Sequence, residues 1–245
     1  MSRSNPQENG TPNPSTRWFE WNGEGGAVRY YDKDAKKNVD VGADFTFILL
    51  DELGSVRGWH DASQSGIYSN EVKDTRADVL IVKAFKGGTL AEGLYKDIKD
   101  RVNAVGGQFN ANCYIAFKNG GGKLALGSIR FKGAALGAWM EFRKENRAAL
   151  FEKGVRIHGF TEGKKGRITY RMPVLALTEV STETNEAAIA LDKQLQAYLA
   201  GYLKKTKRDQ VEAVGKHVSD EDVAAGFEEG PPHPASQITD DDIPF

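Results

Sequence analysis

From Phe109 to Phe117 the chain repeats with a period of two: Phe109, Ala111, Cys113, Ile115 and Phe117 share one parity. Side chains alternate across a strand, so this stretch argues for a strand with one buried face. It has company. Short β-forming runs also occupy 27–31, 45–50, 56–59, 66–72, 79–85, 123–131, 155–160 and 167–177, many of them separated by glycine-containing turns. Two connections read as hairpins: 118–123, where Lys118 and Lys123 flank three glycines, and 161–166. Many short antiparallel strands with few helices point to a mainly β protein, an oligonucleotide-binding (OB-like) barrel with helical insertions. Periodicity alone also admits another β-barrel or a decorated sandwich.

Three helices interrupt the pattern. Leu90, Leu94, Ile98 and Val102 recur every four residues with charges between them, as an amphipathic helix requires. Leu136, Trp139, Met140, Leu150 and Phe151 fit a second helix. A third, over about 184–206, sets Leu191, Leu195, Tyr198 and Tyr202 on one side, suited to packing on the barrel or on another subunit, so an oligomer is an open expectation. The polar, Pro-, Asn- and Ser-containing residues 1–16 read as a disordered lead without a signal peptide, 17–210 as one domain, and 211–245 as a disordered acidic tail.

Charge divides along the same line. The whole chain carries −1, but 211–245 holds nine carboxylates against Lys216, a balance of −8 that leaves +7 on the first 210 residues. A basic body with an acidic tail suits a nucleic-acid protein, since the body attracts phosphate and the tail repels it. The lone Cys113 excludes an intramolecular disulfide or a multi-thiolate zinc site and reads as a small buried hydrophobe. His60, His158, His217 and His233 show no ligand spacing, and the glycine-rich stretches at 23–26 and 120–122 lack the Lys-Ser or Lys-Thr ending of a phosphate loop. No metal, no cofactor and no enzymatic activity are expected. No run reaches membrane-spanning length, which leaves the cytoplasm as the expected compartment.

The chain ends in Asp240, Asp241, Asp242, Ile243, Pro244 and Phe245, after a Pro- and Gly-containing stretch that cannot fold by itself. A terminal ring joined to the free α-carboxylate fits an apolar pocket with a cation at its mouth. Pro244 lowers the ordering cost, and the aspartates favour a basic rim. This tip resembles the acidic C-terminal tip of bacterial single-stranded DNA-binding proteins. The resemblance implies recruitment of replication, recombination and repair proteins, in a bacterial cell or in the host of a bacteriophage. It covers the linker and the last six residues only. The body shows no sign of that family's usual N-terminal domain, so no DNA-contact residue is carried over.

The body's own chemistry supplies candidates. Sequence-tolerant binding of a single strand needs rings on which bases stack, interleaved with cations for the backbone. Trp18, Trp21, Tyr30, Tyr31, Trp59 with Arg57, and Tyr170 with Arg171 meet that description, as do the basic residues Lys118, Lys123, Arg130, Lys132, Lys164, Lys165 and Arg167. Core packing competes for every one of these rings. The function expected is non-catalytic coating and protection of single-stranded DNA, with recruitment of partners through the tip. The alternative is a recombination-annealing or adaptor protein carrying the same tip.

Overall fold

The computed structural model describes residues 12–205 and Glu212, so the 240–245 tip, the rest of the tail and residues 1–11 of the lead lie outside the described residues. The elements in chain order begin with β1 (Arg17–Asn22), β2 (Ala27–Asp32), β3 (Lys37–Gly42), β4 (Asp44–His60), β5 (Ser65–Ser69), β6 (Leu80–Ala84) and β7 (Gly88–Gly93). Helix α1 (Tyr95–Ala104), β8 (Gly107–Lys118), β9 (Leu124–Lys132), α2 (Gly133–Glu145), β10 (Gly154–Lys165), β11 (Ile168–Thr178) and α3 (Thr182–Lys204) follow.

The protein is mainly β, as expected, but the sheet does not close into a barrel. All eleven strands belong to one mixed sheet of order β3-β2-β1-β9-β8-β4-β5-β6-β7, from which β10 and β11 branch at β4. The branch exists because β4 is 17 residues long. Along one side it pairs with β8 from Phe47 to Gly58, while along the other its start pairs with β10 and its end with β5. The β10–β11 ribbon curls back toward the β1–β2 turn without forming a ladder with it. The Arg171 amide donates to the Gly23 carbonyl at 2.7 Å, and the Trp21 indole Nε1 donates to the Arg171 carbonyl at 2.8 Å. The two edges meet at a point.

The concave side holds the main core. Phe19, Phe47, Ile115 and Phe131 pack there around Trp139 of α2, whose ring stacks on Phe131 at 5.1 Å between centroids. Trp139 Nε1 donates to Glu52 at 3.0 Å and Arg143 pairs with the same carboxylate at 2.5 Å, so α2 is bolted to the middle of β4. Further along the same side α1 presents Tyr95, Ile98 and Val102 to Val56, Ile67, Leu80 and Val82. The alternation at 109–117 comes out as expected, with Ala111, Cys113, Ile115 and Phe117 in the main core and Phe109 packed between the two clusters.

Helix α3 lies on the opposite, convex side. Leu195 and Leu199 cover Leu53, Tyr114 and Leu126, and Ala188 meets Ile48 and Ala116. The Ser181 side chain caps it, accepting from the Thr184 amide. Three expectations shift. Leu150 and Phe151 lie beyond the end of α2 at Glu145, in the turn that leads to β10. The runs at 45–50 and 56–59 are one strand, because pairing with β8 carries through the polar residues between them, with a bulge at Leu49/Asp51. The leucine stripe from Leu90 is not all helix: Leu90 belongs to β7 and Leu94 is the N-cap of α1, since Gly93 holds φ +155° and interrupts helical backbone there. Among the described residues no helix is long and apolar enough to cross a membrane.

Candidate nucleic-acid interface

Register, more than sequence proximity, decides which side chains meet. Glu20 of β1 is paired with Arg29 of β2 and Arg130 of β9, and Arg130 with Asn112 of β8, which is paired with Leu53 of β4. Paired residues share a face, and Leu53 lies under α3, so this whole row is on the convex side. By the same alternation Trp18, Tyr31, Lys132, Ser55, Arg57 and Trp59 belong to that side. Helix α3 covers only part of it. Trp18 is 52% exposed, and Tyr31, Arg57, Trp59, Arg130 and Lys132 are half-buried.

Two carboxylates lie among the cations of this face, and Glu20, the buried one, pairs with two of them. Arg29 Nε donates to Glu20 Oε1 at 2.9 Å, and Arg130 pairs with Glu20 Oε2. Burial alone would raise the Glu20 pKa, but Arg130, Lys132 and Arg29 outweigh it and hold the carboxyl at about 2. Glu71 accepts from Asn112 Nδ2 at 2.8 Å and from the Tyr114 hydroxyl at 2.6 Å. Its pKa is raised, chiefly by burial, although those two donors and Arg57 act the other way. The charge of Arg57 is itself disfavoured by burial and then by Arg130. Arg130 Nε is buried without a hydrogen-bond partner. A surface that crowds guanidinium groups is suited to donate to phosphate oxygens.

The remaining candidates are placed elsewhere. Trp21 is 3% exposed in the main core, and Tyr30 packs against that core with the Arg17 guanidinium 4.0 Å from its ring centroid. Lys118 and Lys123 flank the exposed β8–β9 turn beside the start of α3, lining a shallow cleft with Leu124 and Leu191. Lys164, Lys165 and Arg167 are exposed at the end of the β10–β11 ribbon. Tyr170 sits opposite Gly163 within that ribbon, and Arg171 lies over Phe160 while bonding Glu162 and the Glu24 carbonyl. The structure therefore brings together Trp18, Tyr31, Arg57, Trp59, Arg130 and Lys132, and leaves the two turns as separate basic points.

Sequence reasoning missed part of the face. Tyr68 of β5 is paired with Arg57 and with Lys83 of β6, and its ring packs on Phe85 at 4.5 Å between centroids. Phe85 and Lys83 share a parity, so both join Trp59 and Arg57 on the convex side. The runs at 66–72 and 79–85 were legible as strands, but only the pairing with the far end of β4 tells which parity looks outward. Glu20 and Glu71 carried no signal beyond their charge. Among the described residues no group of three His, Cys, Asp or Glu side chains could hold a metal ion. No protein-family model, curated protein or solved structure matches this chain.

Proposed function

We propose that the body binds single-stranded DNA with little base preference through the convex sheet face. The observation that carries this reading is the run of rings and cations across one face of the sheet: Trp18 and Tyr31 on β1 and β2, then Arg130 and Lys132 on β9, then, beyond β8, Arg57 and Trp59 on β4. Flat rings accept any base, and Arg130, held by the buried Glu20 carboxylate, keeps its position while part of its guanidinium stays exposed. We read β1, β2, β9, β8, β4, β10 and β11 as an OB-like barrel that stops short of closure, with α2 as its plug. Coating and protection of exposed strands follow from such binding. The tip at 240–245 recruits bacterial replication, recombination or repair proteins, in the cytoplasm of a bacterium or of a bacteriophage's host.

A competition titration of labelled single strand against unlabelled single strand and duplex tests the assignment. Single strand should compete far better, and with about four phosphates neutralised the slope of log affinity on log salt should be near −3. Equal competition by duplex would reject it.

A further inference from the structure

The geometry points to a single strand crossing the convex face along one diagonal, bridging a ring station of Trp18 and Tyr31 and a second of Trp59 and Phe85. This rests on the single-strand reading above and adds a path and a length to it. Trp18 stands on the row that continues through Ser128 and Tyr114 to Asp51, whereas Trp59 lies further along β4 on the same parity. The straight route along that row is closed, because Leu195 and Leu199 of α3 bury Tyr114. Among the described residues, the oblique route past the last turn of α3 holds Arg130 and then Arg57, both half-buried.

Three strand steps of ~4.8 Å and eight residue steps of ~3.3 Å place the two stations ~30 Å apart. A stretched strand, at roughly twice the 3.4 Å spacing of stacked nucleotides, covers that distance with about five or six nucleotides. The two guanidinium groups lie between the stations, where the bridging phosphates must pass. Arg130 keeps 30% of its side chain exposed while one amino group pairs with Glu20, which leaves guanidinium surface for one of those phosphates. Tyr68 supports the far station from below through its contact with Phe85.

Anisotropy titrations with labelled dT4 and dT8 test the bridge. The shorter probe reaches one station at a time, and the longer reaches both. Trp18→Ala and Trp59→Ala should each weaken dT8 binding by about tenfold or more, the loss of one stacking platform, while dT4 changes by about twofold or less because the other station remains. Should Trp59→Ala lose its cooperative melt, Phe85→Ala tests the same station. Equal losses at both lengths would overturn the bridge and leave single-strand binding standing. Failure of the intact protein to bind dT8 at all would overturn the proposed function, and the bridge with it.

Discussion

Trp18 and Trp21 sit on one strand, yet differ by a single parity and therefore by environment. Trp21→Ala should cost about 3–5 kcal/mol of stability, as large core truncations do, and leave the DNA affinity of the folded protein unchanged. Trp18→Ala should shift stability by less than about 0.5 kcal/mol and cost about 1–3 kcal/mol of single-strand binding. Paired melting and binding curves on the two variants check both halves, and a swap of these outcomes would reverse the face assignment. Glu20 gives a second test at this scale. Its native pKa of about 2 lies below the ordinary 4.5, so its contribution is present above about pH 4.5 and is lost as pH falls toward 2. That displacement corresponds to about 3 kcal/mol for a side chain only 9% exposed. Glu20→Gln should thus lower the denaturation midpoint at pH 7, and the difference from the parent should shrink as the pH falls through that window. A gap between the two proteins that stays constant from pH 7 to pH 2 would show that the carboxylate is not what these arginines rely on.

β4 does the work of two strands, and the sequence shows why this was hard to read. Its two halves each look like a short strand, and nothing in the intervening Asp51, Glu52 and Gly54 signals continuity except the long alternating partner at 109–117. The core strands, α3 and the buried Cys113 were legible from periodicity. β3 was not, because it is a charged edge strand with little apolar pattern, and neither was closure, which depends on how β11 meets the β1–β2 turn. The same limit applied to the site: residue types were legible, but register sorted them onto faces. Gly58 offers a test of β4 as the positioning element. A Cβ there would collide with the Gly106 carbonyl and stand 2.8 Å from Gly107 Cα, both backbone atoms that cannot swing aside. Gly58→Ala should destabilise by about 1–3 kcal/mol and, by pushing β4 off β8 next to Trp59, weaken single-strand binding beyond what Arg57→Ala does alone. Leu199→Ala, in the α3 contact, should cost about 2–5 kcal/mol. Its binding isotherm, measured where the variant is folded, should match the parent.

At the scale of the molecule the governing fact is the charge division, +7 on the first 210 residues and −8 on the remaining 35. A tethered anion reaches a basic face at high effective concentration, so removal of 211–245 should tighten DNA binding, most at about 20 mM salt where screening is weak. Glu212 already stands close enough to Tyr68 to help raise its pKa, after burial, which brings the first acid of that segment to the convex face. An unchanged affinity at low salt would reject this competition without touching recruitment. Recruitment itself belongs to the other end of the tail, and the two functions should separate. A neutral terminal ring offers little to a phosphate backbone, but it can fill an apolar pocket whose basic rim receives the α-carboxylate and three aspartates. Phe245→Ala should therefore weaken binding to a protein that recognises the bacterial tip by about tenfold or more, or roughly 1.4 kcal/mol, while the DNA isotherm stays within error. Adding one residue after Phe245 should do similar damage by displacing the carboxylate, whereas a substitution at Gln237 should be tolerated. Calorimetry with such a partner decides the matter, since equal affinity for the intact and the Phe245-deleted chain would mean that the tip is not what the partner reads.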